Sequence, residues 1–176
     1  AELIRSGVTV MAYNQRDIAG IFAMIRHLGA TVGAMVAAEK LVGSYEQRLA
    51  DIADQASRRA SPKVYFEEWD EPLITGLSWV SELVRVAGGE DVFPDLADRQ
   101  AAKDRIIGPE RVIDAAPDVI LASWCGKKVR PEKIAARPGW QTIPAVRDNR
   151  IHEIKSPLIL QPGPAALTDG LDAIVE

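Results

Sequence analysis

Apolar positions along this chain change period several times, and the changes mark out its parts. Ala1–Gly7 reads as the tail of a helix with a glycine stop, and Val8-Thr-Val-Met-Ala-Tyr13 follows as a strand. Asn14 has Asp17 three residues on, a weaker relative of the capping box, so Asn14 is the predicted N-cap of the next helix. Ile18, Ile21, Phe22, Ile25 and Leu28 then fall on one helical stripe closed by Gly29. This is a strand–helix unit of α/β type.

Met35, Ala38, Val42, Tyr45, Leu49, Ile52 and Ala56 alternate in steps of four and three, and no proline occurs from Ala30 to Ser61. The spacing predicts one helix of about thirty residues, spanning on the order of 45 Å. Such a helix is either a coiled-coil seam or a strut packed on globular lobes. Gly33, Ala34, Ala37 and Gly43 fill much of its early surface, and small residues suit close packing on a domain, which favours the strut.

Past Ser61-Pro62 the α/β rhythm resumes. Lys63–Trp69 is a strand; Leu77, Val80, Leu83, Val84 and Ala87 mark a helix stopped by Gly88-Gly89. Gly108-Pro109-Glu110 opens a short helix with proline at its favoured first turn. Asp118–Trp124 is apolar enough for a sheet interior. A short helix at Lys133–Arg137, strands at Thr142–Val146 and Arg150–Ile154, and a final helix through Leu167, Leu171 and Ile174 complete the pattern. The predicted fold is α/β: two α/β lobes joined by one long rigid helix, with the N-terminal lobe partly missing. The parts are a lobe remnant over 1–29, the connecting helix over 30–61 and a C-terminal lobe over 62–176.

Composition narrows the function. The net charge is −4 and no segment gathers lysine and arginine, which argues against a nucleic-acid or anionic-membrane surface. No apolar stretch reaches the roughly 18 residues of a membrane span. The single Cys125 excludes an internal disulfide and a multi-thiolate zinc site.

Candidate chemistry gathers where strands end, because ligands of open α/β sheets bind beyond the carboxyl ends of the strands. Trp69 ends one strand and Trp124 the next, and a flat ring stacks on a macrocycle at small entropic cost; the competing reading is that each plugs the core rim. Trp79 lies beside its helix stripe and is balanced between cleft and core, whereas Trp140, after Pro138-Gly139, reads as a loop cap. Tyr13 and Asn14 end the first strand and could face a ligand from the other side. Glu67 and Glu68 straddle the faces of their strand, so at least one points away from the core. Enzyme readings fare badly. Neither His27 nor His152 is near Cys125, which reads as a buried inert thiol; His152-Glu153 lacks the second zinc histidine; Gly126-Lys127-Lys128 lacks the rest of a phosphate loop; Glu68 with Asp70 has no nucleophile or cofactor motif beside it.

Three stretches carry a family resemblance: Val64-Tyr-Phe-Glu-Glu-Trp-Asp-Glu-Pro-Leu73 with Val80–Phe93 behind it, Gly108-Pro-Glu-Arg-Val112, and Ser156-Pro-Leu-Ile-Leu-Gln-Pro-Gly-Pro164. Together they resemble the substrate-binding proteins of ABC importers whose lobes are linked by one long helix. The likeness is to the cobalamin and iron-complex receptors, nearest the cobalamin branch, over essentially the whole chain. It implies a monomeric periplasmic protein or cell-surface lipoprotein, without cofactor and not an enzyme. Such a protein encloses cobalamin or another metal chelate and hands it to a membrane permease. Haem or a ferric siderophore is the alternative cargo, favoured by Arg105, Lys127 and Lys128. An intracellular domain dimerising along its long helix is the alternative class. The resemblance further implies that Arg105 faces the ligand, although the cobalamin receptors carry an aromatic near there, and that Glu110 meets permease arginines. A carboxylate in a first helical turn is also stabilised by the macrodipole, which is the plainer role for Glu110.

Overall fold

The computed structural model describes residues 2–176. Helix α1 (Glu2–Arg5) closes at Gly7, whose φ of 80° suits glycine; Ala1, part of the predicted tail, lies outside the described residues. Val8–Tyr13 forms no ladder, so the strand predicted there is not made. A strand is stabilised by its neighbours, and among the described residues none pairs with this segment.

Helix α2 (Ile18–Thr31) is capped by Asp17, whose Oδ1 accepts the Gly20 N–H at 2.6 Å. The cap is therefore Asp17 and not Asn14: only the residue directly before the first turn reaches the open N–H groups. Gly29 does not end α2 but lies within it. The break comes at Gly33, with φ of 72°, before α3 (Met35–Ala56) folds back along α2. At 22 residues α3 is shorter than predicted, because Gly33 takes the turn that the proline-free run concealed. Both ends of α3 are fixed by a methyl set against a glycine. A Cβ at Gly29 would overlap that of Ala38, and one at Gly88 would overlap that of Ala56.

Strand β1 (Lys63–Asp70) is followed by β2 (Leu73–Thr75), α4 (Ser78–Val86), β3 (Glu90–Asp91) and α5 (Pro94–Ala97). Then come α6 (Pro109–Ala115), β4 (Val119–Ala122), α7 (Pro131–Ala135), α8 (Pro144–Arg147), β5 (Ile151–Glu153), α9 (Ser156–Ile159) and α10 (Leu171–Val175). β1, β4 and β5 run parallel, with Val64 beside Val119 and Ile120 beside Ile151; β2 is an antiparallel edge on β1, and β3 pairs parallel with the start of β1. The predicted strand at Thr142–Val146 is a tight turn running into α8. Pro144 occupies the first helical position, where its missing N–H costs nothing, and could not serve an interior ladder.

Alternation along the strands divides the core. Val64, Phe66, Val119 and Leu121 face Ile21, Phe22 and Ile25 of α2, Ala38 and Val42 of α3, and Trp79, Val80, Leu83 and Val84 of α4. Tyr65, Ile120, Ala122 and Ile151 face Phe93, Val112, Ile134, Trp140 and Ile143 on the other side. Each fully buried aliphatic residue here contributes about 1.5–3 kcal/mol. Of the predicted stripe of α3, Ala38 and Val42 are buried in this core and Tyr45, Leu49 and Ile52 pack at its margin, while Met35 is exposed.

Candidate functional site

The carboxyl end of β1 is built on a buried carboxylate. Glu67 is 0% exposed and is held by Arg137, whose Nη1 and Nη2 donate at 2.6 and 2.9 Å, and by the Trp124 indole N–H at 3.1 Å. Burial pulls the Arg137 guanidinium down, yet its hydrogen bonds to Glu67 and that residue's charge outweigh burial and leave it raised. The Tyr65 hydroxyl, buried beside them with no partner, is pushed well above the ordinary phenol range by burial and then by the Glu67 charge. Arg137 also stacks on Trp140 at 4.5 Å. Trp140 is thus a wholly buried core residue and not the loop cap expected.

One residue along, Glu68 pairs with Arg105 at 2.5 Å, and Arg105 also donates to the Thr75 carbonyl. The resemblance implies that Arg105 faces a ligand; in the structure its side chain is 2% exposed and turned onto Glu68 and Thr75. A buried guanidinium is tolerable only when paired, and Glu68 and Thr75 use its charge and donors inside the fold.

Trp69 and Trp124 do come together, through a residue not predicted to join them. Lys127 Nζ lies 5.4 Å from the Trp69 ring and 4.9 Å from the Trp124 ring, and donates to Asp70 Oδ2 at 2.5 Å. The Lys127 N–H bonds back to the Trp124 carbonyl across a turn whose third residue, Gly126, has φ of 69°. Trp124 is only 3% exposed, so as it stands it plugs the rim; Trp69 is half-buried with its indole N–H on the Glu71 carbonyl. Cys125 is exposed on the same turn, contrary to the buried thiol expected, because the strand ends before it.

Tyr13 and Asn14 line a second hollow of about 360 Å³ with Gln15, Arg16, Trp79, Gln161 and Pro162. Gln15 closes its floor by donating to the Pro162 carbonyl at 3.0 Å, joining the first segment of the chain to the last. Trp79 enters this hollow while anchored in the core, 3% exposed and bonded through its indole N–H to the Ile159 carbonyl. The Tyr13 hydroxyl meets His27 Nδ1 at 3.1 Å. Glu110 stands apart, exposed in the first turn of α6, its carboxylate folded so closely over Gly108 that a Cβ there would collide with it. Another cavity, of about 470 Å³, lies at the other end of the sheet among Val64, Val119, Arg150 and α10, away from all these residues. Among the described residues no group of three His, Cys, Asp or Glu side chains could hold a metal, and no helix is long and apolar enough to cross a membrane.

The sheet carries two tryptophans at its carboxyl edge, and the comparison with known families decides the identity: the periplasmic binding protein profile matches residues 1–158. The chain belongs to the periplasmic binding protein family. That family is one of ligand receptors for ABC transporters, carrying cargo instead of cofactors, and not of enzymes. One relative is the ABC transporter substrate-binding lipoprotein YvrC of Bacillus subtilis strain 168, itself uncharacterized. It is 25% identical over 182 residues, which cover 99% of this chain and 55% of the relative. The vitamin B12-binding protein of Vibrio parahaemolyticus is 26% identical over 141 residues, 78% of this chain and 47% of that one. The chain thus spans about half the length of these relatives. Among solved structures, the periplasmic heme-binding protein RhuT from Roseiflexus sp. RS-1 superposes with a TM-score of 0.78 at 25% identity, over 99% of this chain and 69% of that one.

Sequence reasoning missed Lys127 as the link between the tryptophans, Asp70 as its counterion and Arg137 as the partner of Glu67. Gly126 was the available signal for the first, since a glycine in third place after a strand end turns the next residue back. Arg137 had none, because the pair is 70 residues apart in sequence.

Proposed function

We propose that this chain is the ligand-holding part of an ABC-importer receptor whose cargo is cobalamin or a related corrinoid. The observation that carries the reading is the pair of tryptophans at the carboxyl ends of β1 and β4, where an α/β sheet receives its ligand. Similarity to a vitamin B12-binding protein favours the corrinoid. Trp69 supplies stacking area with Trp124 packed behind it, Tyr13, Asn14 and Trp79 line the second hollow, and Glu68 holds the rim through Arg105. Glu110, exposed on α6, is the contact for permease arginines, and the protein works as a monomer in the periplasm or as a cell-surface lipoprotein. Likeness to a haem-binding protein and the exposed Lys127 and Lys128 favour haem or another anionic chelate as the second reading.

The test is titration with cobalamin, haem and a ferric siderophore, followed by tryptophan fluorescence. Saturable quenching by cobalamin, weakened about tenfold in Trp69→Ala as befits one lost stacking contact, is the expected result. Saturation by haem or siderophore alone would replace the cargo, and silence with all three would overturn the metal-chelate cargo and point to another ligand or to an interaction domain. Glu110→Ala should leave the titration unchanged and slow uptake.

A further inference from the structure

Each carboxylate at the carboxyl end of β1 is matched by one cation. Glu67 pairs with Arg137 and Glu68 with Arg105, and both pairs are sunk in the fold, no side chain among them more than 19% exposed. The third pair reaches solvent: the Lys127 side chain is 46% exposed and that of Asp70 14%. Beyond it Glu71 and Lys128, both exposed, offset each other in charge. The wall is therefore electrically balanced, and it shows a ligand a dipole instead of a net charge.

That dipole has unused hydrogen-bonding capacity at both ends. Lys127 Nζ donates to Asp70 Oδ2 at 2.5 Å, and its remaining N–H groups meet no acceptor among the described residues. Asp70 Oδ1 is buried and accepts no hydrogen bond, a state that a carboxylate oxygen rarely keeps. The Trp69 and Trp124 rings, 5.4 and 4.9 Å from Nζ, hold the ammonium beside the stacking face. A donor and an acceptor side by side, with no net charge, complement a primary carboxamide, whose oxygen accepts and whose N–H groups donate. A carboxylate brings acceptors alone and an ammonium brings donors alone, so either would engage only half of the pair.

We infer that Asp70 and Lys127 form a carboxamide-recognising couple at the edge of the Trp69 stacking face: Lys127 Nζ donates to the amide oxygen, and the free oxygen of Asp70 accepts the amide N–H. This rests on the corrinoid reading and names the part of the cargo that is read, the neutral amide arms around its macrocycle. Asp70 is the specificity-determining residue, because its charge cancels that of Lys127; without it the same ammonium would draw carboxylates. The terminal torsion of an aspartate is broad and two-fold, so a turn of the carboxylate exchanges Oδ1 with Oδ2 and brings the free oxygen outward. Lys127 keeps its backbone N–H on the Trp124 carbonyl across the turn at Gly126, so its ammonium adjusts to the amide by side-chain torsions alone.

The test compares cobalamin with a hydrolysis product whose rim amides have become carboxylates, so that the ring is kept and the charge changed. Wild type, Asp70→Asn and Lys127→Met are titrated with each, and separately with butyramide and butyrate, while NMR follows the indole N–H signals of the four tryptophans. Trp140, wholly buried, reports an intact fold in each variant. Wild type should bind the amide form about tenfold more tightly than the carboxylate form, as befits one hydrogen bond to a charged group. Butyramide and not butyrate should move the Trp69 signal. Asp70→Asn frees the ammonium and should erase or reverse the preference, whereas Lys127→Met should weaken both forms and the carboxylate form more. Equal affinity for the two forms in wild type, or a preference that neither variant alters, overturns the couple. Cobalamin binding with either of those results keeps the corrinoid cargo and discards the couple. Silence with cobalamin, while butyramide moves Trp69 in wild type and not in Asp70→Asn, sinks the cargo and keeps the couple; silence with both removes both.

Discussion

Arg137→Ala is the substitution for which the structure makes the strongest demand. Glu67 is 0% exposed, and Arg137 supplies two of the three hydrogen bonds its carboxylate accepts. Truncation leaves an ionised group inside the sheet with only an indole N–H, a situation that costs about 3–5 kcal/mol. Loss of the guanidinium face over Trp140 adds about 0.5–1 kcal/mol. Domains carry only about 5–15 kcal/mol of stability in total, so Arg137→Ala should come close to unfolding the marginal end of that range. In a chain of this length each kcal/mol moves Tm by about 2–4 °C, which puts the expected fall at roughly 7–24 °C. Urea denaturation with an unchanged slope would show that stability and not compactness has altered. The companion Glu67→Leu/Arg137→Ala removes charge and partner together, and should recover part of the loss with a coupling of about 1–3 kcal/mol. A loss below about 1 kcal/mol in the single variant would refute the reasoning, since that is the ordinary value of a solvated surface pair.

Other expectations are simpler to check. Asp17→Ala removes the cap of α2 and should cost about 1 kcal/mol by urea denaturation. Two glycine substitutions should have opposite signs in thermal melts. Gly29→Ala drives a methyl into Ala38 and should destabilise by about 1–3 kcal/mol. Gly43→Ala meets nothing within 4 Å inside α3 and should stabilise by about 0.5–1 kcal/mol. Burial, and then the Asp17 charge, raise the Glu82 carboxyl above its ordinary value despite the hydrogen bond from the Ile18 N–H. A carboxyl raised on folding weakens the fold while it is charged and relieves it once protonated. Glu82→Gln should therefore be more stable than wild type at neutral pH, and the difference should close as pH falls through the carboxylate range.

Much of the architecture was legible because it rests on local periodicity. The strands at Lys63–Trp69, Asp118–Trp124 and Arg150–Ile154, and the helix before Gly88-Gly89, all appear, since their apolar spacing is also their core contact. Failures fell where partners decide the outcome. Val8–Tyr13 alternates like a strand but has no neighbour, and Thr142–Val146 is apolar for packing around Pro144 and not for a ladder. The site was half visible. Trp69 and Trp124 could be placed at strand ends from sequence, because a strand's end is a local fact. That Arg105 is spent on Glu68, that Arg137 reaches Glu67 and that Lys127 lies across both rings are consequences of folding over long separations. A charged residue in sequence looks the same whether it greets a ligand or neutralises a buried carboxylate.

The glycine–methyl contacts at the two ends of α3 bear on how this protein can move. Sliding between packed helices requires long side chains that can switch rotamer and settle into a second interdigitation. Ala38 on Gly29 and Ala56 on Gly88 offer no rotamers to exchange. Shear is therefore closed off at both anchor points, and α3 behaves as an inextensible rod. Any displacement that passes between the first segment of the chain and the sheet must arrive as rotation about its end joints, at 32–34 and 57–62, and an inserted residue there should alter the angle of transmission while leaving the rod itself untouched.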